Sequence, residues 1–263
     1  MITAGCDVGS LSAKAVILDS GSIVSSHVIF ARPEPEDSAR EVMGAALEKA
    51  GLRLEDIECC VGTGYGRNHV PFAQSVQSEI ACHGRGAQWL LPGVRMVIDI
   101  GGQDAKAIKL DESGNVVRYA YNDKCASGTG RFLEVMAGAL GLRIEDMGDI
   151  SSRAKEPVTI SNQCVVFAET EIISLINEGR HQPDIIAGLH RAMAHRVASL
   201  AKGIEIDREL TMTGGVAKNR GMFQALEEAL GVKIMEIGDA DPQIIGALGA
   251  ALIAWKNRDS EKP

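Results

Sequence analysis

The segment from Val97 to Asp104 reads VIDIGGQD, and the segment from Ala4 to Ser10 reads AGCDVGS. Each is an apolar run that carries an aspartate, one further apolar residue and then glycine. The two aspartates, Asp7 and Asp99, lie 92 residues apart, and each segment is followed by two more β-rich stretches. An apolar run that ends in glycine is typical of a strand leading into a tight turn. We therefore predict an internal duplication of a three-stranded meander, with helices following each copy.

This duplication predicts an α/β protein of two similar halves. The first half covers residues 1–92 and is completed by a C-terminal helix at 242–256. The second half covers residues 93–241, and residues 257–263 form a polar tail. Periodicity and end signals place further helices at 36–50, 78–91, 127–140, 168–178, 184–202 and 217–230. Short strands are predicted at 57–61, 210–213 and 232–236.

The composition excludes several classes of protein. Of the 263 residues, 45% are hydrophobic and 24% charged, which is typical of a globular chain. A net charge of −8 and only 4% aromatic residues argue against a general nucleic-acid or anionic-membrane binder. The N-terminus lacks a basic stretch before an apolar run, and the apolar run at 244–255 is shorter than the roughly 20 residues of a membrane span. We expect a soluble, cytoplasmic protein.

Glycine-rich turns follow three of the predicted strands, at residues 7–10, 99–104 and 213–216. Glycine allows backbone N–H groups to approach an anion such as phosphate, and an adjacent aspartate can hold Mg²⁺ through water. Lys14 adds a positive charge for a terminal phosphate. Each turn taken singly is also explained as a simple chain reversal. Three together, two of them with the same aspartate, favour a nucleotide site, and the absence of a Gly-Lys pair excludes a Walker A loop.

The cysteines suggest a second kind of site. The six include no Cys-x-x-Cys pair, which argues against a zinc ribbon or a thioredoxin motif. Cys125 and Cys164 each precede a predicted helix, where the positive end of the helix dipole favours a thiolate. On position alone, both are explained better as buried structural thiols. The other four lie in strand or helix patterns and are predicted core thiols: Cys6, Cys59, Cys60 and Cys82.

Several other titratable residues are expected to have structural roles. His83 has no matching metal partners, so a structural or hinge role is expected. His190 and His195 are five residues apart, which is not the spacing of a metal-binding pair on a helix. Glu169 and Glu171 are predicted to cap the helix that follows the second cysteine segment.

The phosphate turns in two duplicated halves resemble the superfamily of actin, sugar kinases and heat-shock chaperones. The segment from Asp7 to Lys14 matches its first phosphate motif, Asp99 to Asp104 its second, and Thr213 to Asn219 its adenosine motif. The resemblance implies a duplicated, ribonuclease H-like ATPase fold in which ATP lies in a cleft between the two halves.

The cysteine segments extend the resemblance to a narrower family. The chain is similar, over nearly its whole length, to the ATP-dependent activators of 2-hydroxyacyl-CoA dehydratases and benzoyl-CoA-type reductases. The segments that carry this resemblance are 63–67, 79–87, 99–104, 122–132, 161–171, 213–219 and 242–249.

The family implies an activity, cofactors and partners. The implied protein is an ATPase of anaerobic metabolism that passes one low-potential electron to a 2-hydroxyacyl-CoA dehydratase or related acyl-CoA reductase. The electron comes from reduced ferredoxin or flavodoxin through a single [4Fe–4S] cluster, which bridges a homodimer and takes Cys125 and Cys164 from each subunit. Four thiolates are the number that such a cluster requires. The implied cofactors are this cluster, ATP or ADP, and Mg²⁺.

The family also implies roles for individual residues. The implied catalytic residues are Asp7, Asp99, Gln103 and Asp104, and the three aspartates would also hold Mg²⁺. The implied nucleotide contacts are Gly9, Ser10, Leu11, Ser12, Lys14, Gly101, Gly102, Gln103, Gly214, Gly215, Lys218, Asn219 and Gln243.

Three other functions are compatible with parts of this pattern. The chain can be the ATPase subunit of a larger benzoyl-CoA-type reductase instead of a separate activator. It can also be a small-molecule kinase, of the amino-sugar type, without a cluster, or a non-enzymatic scaffold like an actin filament. The last two have no reason to place Cys125 and Cys164 ahead of helices, so the cysteine segments favour the electron-transfer function.

Overall fold

The computed structural model describes residues 1–161 and 164–259, which form two five-stranded sheets with helices packed on them. The strands of the first sheet are β1 (Ile2–Val8), β2 (Ser12–Asp19), β3 (Ser22–Phe30), β4 (Cys59–Thr63) and β5 (Ser75–Val76). Those of the second are β6 (Met96–Ile100), β7 (Ala105–Leu110), β8 (Val116–Asn122), β9 (Leu210–Thr213) and β10 (Ile234–Met235). The helices are α1 (Pro35–Ala50), α2 (Glu79–Leu90), α3 (Gly130–Ala139), α4 (Met147–Ser151), α5 (Val165–Asn177), α6 (Gln182–Gly203), α7 (Arg220–Leu230) and α8 (Ile245–Asp259).

The two sheets have the same strand order. The first runs β3-β2-β1-β4-β5, and the second, read from its corresponding edge, runs β8-β7-β6-β9-β10. In the first sheet β1, β2 and β3 form an antiparallel meander, and β1 pairs in parallel with β4. The duplication predicted from the two aspartate segments is therefore confirmed.

Strand register determines the neighbours of Asp7. Asp7 of β1 lies opposite Lys14 of β2 and beside Thr63 of β4. The turn between β1 and β2 spans only the residues from Gly9 to Leu11, so it holds this register tightly.

One compact unit comprises Met1–Val97, Lys109–Val117 and the described residues from Ile237 onward. Its strands are covered on both faces because successive side chains of a strand point in opposite directions. On β2, Ala15 belongs to an apolar cluster with Val42 of α1, whereas Val16 belongs to a cluster with Leu248 of α8. The C-terminal helix is thus part of the core of this unit.

A second compact unit comprises Ile98–Ile108 and Arg118–Glu236. Its longest helix, α6, packs against α7. The buried side chains of α6 include Ile186, Leu189, Met193 and Val197, which recur every three to four residues and form one apolar stripe.

The helices that follow Cys125 and Cys164 begin at residues other than those predicted. The helix predicted from residue 127 begins at Gly130, because the preceding residues form a turn in which Thr129 Oγ1 donates a hydrogen bond of 2.7 Å to the Ala126 carbonyl. Helix α5 begins directly after Cys164, which is its N-cap residue.

The early start of α5 makes the predicted capping role of Glu169 and Glu171 wrong. Both residues lie inside the helix, beyond its first turn. Glu171 instead accepts hydrogen bonds from Ser161, at 2.9 Å from the backbone nitrogen and 2.8 Å from the hydroxyl. It therefore connects α5 to the segment that precedes it.

The C-terminal helix begins and ends later than predicted, at Ile245 and Asp259. Residues 257–259, assigned to the polar tail, belong to this helix, and the rest of the tail, 260–263, lies outside the described residues. The predicted domain boundaries at 92/93 and 241/242 remain predictions. Within residues 1–161 and 164–259, no helix has both the length and the apolarity needed to cross a bilayer.

Candidate functional site

The first phosphate turn surrounds a buried carboxylate at the end of β1. Asp7 is only 5% exposed, and the ammonium of Lys14 lies 3.3 Å from its Oδ2. The same ammonium is 3.4 Å from the Ser12 carbonyl oxygen, and the turn is closed by a 3.0 Å hydrogen bond from the Gly9 nitrogen to that oxygen. The predicted residues from Gly9 to Ser12 therefore form one small loop beside an aspartate–lysine pair.

Other residues around Asp7 were not predicted as site residues. Gly64, which follows β4, has a φ of +86°, and a Cβ at this position would overlap Asp7 Oδ1. A Cβ on Gly246 would lie 2.9 Å from His83 Nε2 and 3.0 Å from Asp7 Oδ2. The buried imidazole of His83 is thus a neighbour of the carboxylate. The sequence contained evidence for a role of Gly64, because the pair Thr63-Gly64 repeats as Thr213-Gly214.

The second phosphate turn brings two carboxylates together. Asp99 is the penultimate residue of β6 and Asp104 directly precedes β7, and they are 3% and 4% exposed. The Gly101 nitrogen donates a 3.0 Å hydrogen bond to the Asp104 carbonyl, which closes the turn. Thr213 of β9 donates through Oγ1 to Asp99 Oδ1 at 3.0 Å. Gly101 and Gly102 are half-buried, and Gln103 is exposed at the tip of the turn.

A buried lysine completes this turn, and the sequence analysis missed it. Lys106 of β7 is 1% exposed, and its ammonium lies 3.2 Å from Asp99 Oδ2 and 2.7 Å from Asp104 Oδ2. Lys106 follows Asp99 by the same seven residues that separate Lys14 from Asp7. The duplicated sequence therefore contained the evidence for Lys106, in the equal spacing of aspartate and lysine in the two copies.

The third glycine turn lies in the same unit as Asp99. Gly214 has a φ of +86°, and a Cβ there would lie 2.8 Å from Asp99 Oδ1 and would overlap the Ile100 carbonyl oxygen. Only glycine fits both the backbone conformation and this close approach. Gly215 and Lys218 are exposed on the short helical turn that follows.

Asn219 connects the third turn to α7 and α6. Its Oδ1 accepts the Met222 N–H at 3.1 Å, which caps α7, and its Nδ2 lies 3.1 Å from His190 Nε2. Burial lowers the pKa of His190 to about 4, so the imidazole is neutral at physiological pH. His190 therefore holds Asn219 in place. Gln243, by contrast, lies in the other unit, where its backbone N–H donates a hydrogen bond to Asp241 Oδ1 at 2.9 Å.

Four cysteines are core thiols, as predicted. Cys6, Cys59, Cys60 and Cys82 are buried. Burial raises the pKa of Cys60 and of Cys82 to about 12, and that of Cys6 well above its usual value. These thiols are protonated at neutral pH and are poor metal ligands in this state.

The other two cysteines are accessible. Cys125 is half-buried and Cys164 is exposed, and both are free thiols. The hydroxyl of Ser127 lies 3.0 Å from the Cys125 sulfur and lowers the pKa of this thiol, with a smaller contribution from the charge of Arg196. Cys164 is the N-cap residue of α5, and α5 packs against α3, the helix that follows Cys125.

Within the described residues, no group of three or more His, Cys, Asp or Glu side chains is arranged to hold a metal ion.

The helix next to Cys164 has an exposed apolar surface. Val166, Phe167, Ile173 and Ile176 of α5 are 66%, 62%, 50% and 44% exposed. Large apolar side chains that are exposed together on one helix are typical of a surface that another protein covers.

A family model of the BadF/BadG/BcrA/BcrD ATPases matches residues 4–254. The chain belongs to this ATPase family. Its relatives include the 2-hydroxyisocaproyl-CoA dehydratase activator of Clostridioides difficile, which is 44% identical over 100% of this chain and 98% of the relative. A benzoyl-CoA reductase subunit of Thauera aromatica is 34% identical over 95% of this chain and 92% of the relative.

Solved structures of similar proteins have the same fold. The activator of the 2-hydroxyisocaproyl-CoA dehydratase from Clostridium difficile, solved with bound ADPNP, superimposes with a TM-score of 0.94 at 42% identity, covering 100% of this chain and 98% of that one. The ROK hexokinase from Thermus thermophilus reaches a TM-score of 0.54 at 18% identity over 99% of this chain and 100% of its own. This second likeness shows the actin-like, sugar-kinase fold alone.

Proposed function

We propose that this ATPase activates a 2-hydroxyacyl-CoA dehydratase, or a related acyl-CoA reductase, by transferring to it a single low-potential electron. The observation that carries the proposal is that one compact unit holds both a phosphate turn and two accessible cysteines. The turn has two buried aspartates, and the cysteines each precede a helix. The full-length similarity to a dehydratase activator supports the same activity.

The nucleotide contacts of the proposal are the glycine turns. Gly9, Ser10, Leu11, Ser12 and Lys14 in one unit, and Gly101, Gly102, Gln103, Gly214, Gly215, Lys218 and Asn219 in the other, would contact ATP or ADP, together with Gln243. Backbone N–H groups of such turns suit phosphate oxygens. The ADPNP bound to the similar activator supports nucleotide binding by this fold.

The aspartates are proposed to hold Mg²⁺ and its water ligands. Asp99 Oδ2 and Asp104 Oδ2 already converge on one cation, the ammonium of Lys106, at 3.2 and 2.7 Å. Carboxylate oxygens are the ligands that Mg²⁺ prefers, and this ion keeps several of its waters. The two aspartates therefore fit the ion, and Asp7 would contribute from the other phosphate turn. In this role they would orient the phosphates, with Gln103 at the tip of the turn.

The accessible cysteines fit an iron–sulfur cluster shared by two copies of the chain. Cys125 and Cys164 from each copy would supply the four thiolates that a [4Fe–4S] cluster requires. When bound, such a cluster accepts and donates one electron. The lowered pKa of Cys125 favours the thiolate form that a ligand must adopt. The dipole of α5, whose N-cap residue is Cys164, favours negative charge at this second cysteine.

A homodimer follows from this ligand count, and the surface of α5 supports it. The four exposed apolar residues of α5 lie on the helix that Cys164 caps, so a second copy that shares the cluster would cover them. Reduced ferredoxin or flavodoxin is the proposed electron donor, and the dehydratase or reductase is the acceptor.

A second candidate is the ATPase subunit of a benzoyl-CoA-type reductase. The similarity to the benzoyl-CoA reductase protein of Thauera aromatica along nearly the whole chain favours it. The two candidates share the chemistry and differ in assembly, so a permanent complex with a reductase after purification would select the second.

The test is Asp99→Asn, which removes one charge from the second turn while keeping the size of the side chain. We expect Mg²⁺-dependent ATP hydrolysis to fall by about a hundredfold or more, with the iron content per chain unchanged. The measurements are phosphate release and iron analysis under anaerobic conditions. Asp149→Asn, on the exposed side of α4, is the matched control and should hydrolyse ATP normally. Wild-type hydrolysis in Asp99→Asn would refute the nucleotide assignment.

A further inference from the structure

The ion pair in the second phosphate turn is unusual because one buried ammonium serves two buried carboxylates. Lys106 contacts both Asp99 and Asp104, and all three residues are less than 5% exposed. The ring of Tyr121 adds a further contact, with its centroid 5.5 Å from the ammonium. The lysine therefore lies inside the turn and does not extend into solvent.

The charges of this group do not cancel. Among these three buried side chains, two carboxylates and one ammonium carry a net charge of −1. Like charges that are buried together repel strongly because the protein interior screens them poorly. The ammonium reduces this repulsion and also fixes the positions of both carboxylates through contacts of 3.2 and 2.7 Å.

The corresponding group in the other unit is simpler. Asp7 and Lys14 form a pair of one carboxylate and one ammonium 3.3 Å apart, and the Lys14 side chain is 13% exposed compared with 2% for Lys106. The duplicated lysines have thus diverged, one remaining at the rim of its turn and the other becoming enclosed between two aspartates.

We propose that Lys106 is a positioning residue whose ammonium takes the place of a divalent cation between Asp99 and Asp104 until Mg²⁺ arrives with its nucleotide. This inference rests on the proposed magnesium role of the two aspartates. A net charge of −1 attracts free Mg²⁺ only weakly, and the ammonium occupies the oxygens to which the ion would bind. The phosphates of ATP supply the additional ligands that Mg²⁺ needs, so metal and nucleotide bind together.

The first test compares Lys106→Gln with the wild-type protein in thermal unfolding without nucleotide, in EDTA and in millimolar MgCl₂. Without the ammonium, the two buried carboxylates repel each other, and we expect the midpoint in EDTA to fall by roughly 5–10 °C. Free Mg²⁺ should restore at least half of this loss in the variant and should leave the wild-type midpoint unchanged. A lysine with a merely structural role would give no such dependence on Mg²⁺.

The matched control is Lys233→Gln. This lysine also forms an ion pair, 2.8 Å from Glu227, but its side chain is 92% exposed. We expect the midpoint of this variant to change little and not to depend on Mg²⁺, since exposed ion pairs contribute little to stability.

A second variant keeps the test decisive if Lys106→Gln does not fold. In Lys106→Gln/Asp104→Asn, one carboxylate is removed along with the ammonium, so the net charge of the group returns to −1. We expect this double variant to fold, to be more stable in EDTA than Lys106→Gln, and to lose the response to free Mg²⁺. A double variant no more stable than the single one, or a wild-type protein that free Mg²⁺ stabilises equally, would overturn the proposal.

These outcomes are separate from those that test the proposed function. Every measurement on Lys106 is made without ATP, whereas the test of Asp99→Asn measures ATP hydrolysis. If Lys106→Gln is destabilised without any response to Mg²⁺ while Asp99→Asn loses hydrolysis, the role of Lys106 is refuted and the ATPase assignment stands.

Discussion

At the scale of single residues, each of the two compact units holds a matching set of residues. Each set has an aspartate at the end of a strand, a lysine seven residues later and a glycine with a φ of +86° against the aspartate. The glycines, Gly64 and Gly214, each follow a threonine at the end of a neighbouring strand. The same backbone conformation at both positions indicates that the duplication preserved the geometry of the carboxylate, not merely the apolar pattern.

Gly214→Ala tests this geometry. An added Cβ would overlap the Ile100 carbonyl oxygen and lie 2.8 Å from Asp99 Oδ1, and the left-handed backbone is unfavourable for alanine. We expect the free energy of unfolding to fall by about 2 kcal/mol and the affinity for ADPNP to fall at least tenfold. Urea unfolding and a nucleotide titration measure the two effects.

Gly44→Ala is the matched control, since Gly44 is in the middle of α1 and a Cβ there meets nothing within 4 Å. Helix propensity predicts that it stabilises the protein by up to about 1 kcal/mol, with unchanged nucleotide affinity. Normal ADPNP binding by Gly214→Ala would show that this glycine does not shape the site.

At the scale of secondary-structure elements, the position of each cysteine within its element separates the accessible thiols from the buried ones. Cys59 and Cys60 lie in β4, between layers of apolar side chains, whereas Cys125 and Cys164 lie in segments that lead into α3 and α5. Residues that precede a helix N-terminus are more accessible and face unpaired N–H groups. The elements therefore explain why two of the six thiols are accessible and four are buried.

Replacing the cysteines one at a time tests this separation. We expect Cys125→Ser and Cys164→Ser to lose the cluster, because each substitution removes two of the four thiolates from a symmetric dimer. Cys59→Ser and Cys60→Ser should keep it, although a buried hydroxyl lowers stability by about 1–3 kcal/mol. Anaerobic iron analysis and the visible absorption of the four folded variants are the measurements. Equal iron in all four variants would mean that the cluster ligands are other residues.

At the scale of the whole molecule, the proposed cluster makes assembly and oxygen sensitivity depend on each other. One chain would supply only two of the four thiolates of the proposed cluster, so the shared site would lie where two copies meet. The exposed apolar side chains of α5 and the exposed sulfur of Cys164 lie together on this part of the chain. Oxygen should reach such a cluster more easily than one enclosed within a single domain.

We expect brief exposure to air to bleach the protein, to release iron and to weaken the dimer, because the metal–sulfur bonds that cross the interface contribute to association. Each copy should remain folded, since the core of each compact unit is formed by its own strands and helices. Sedimentation with a parallel iron assay, before and after aeration, measures both effects. A dimer of full strength after all iron is lost would show that protein contacts alone hold the pair, and iron that survives long aeration would contradict an exposed, shared site.

Local patterns in the sequence were sufficient to predict the two sheets, their duplication and the three glycine turns. Apolar strands, turn residues and helix end signals act over a few residues, so Asp7, Asp99 and Gly214 could be placed at strand ends without a structure. The same local reasoning failed at helix starts, where Cys164 as the N-cap of α5 made the predicted capping by Glu169 wrong. Such boundaries depend on which nearby group satisfies the first N–H groups of the helix.

Contacts between residues distant in sequence were decided only by the tertiary structure. The pairing of Thr213 with Asp99, and of Asn219 with His190, joins segments 114 and 29 residues apart. The alternation of a strand tells which residues share a face but not which strand lies beside them. Lys106 is buried beside two aspartates because β7 lies next to β6 in the sheet. From sequence alone a lysine is expected at the surface, so only the tertiary structure identifies it as a neighbour of these carboxylates.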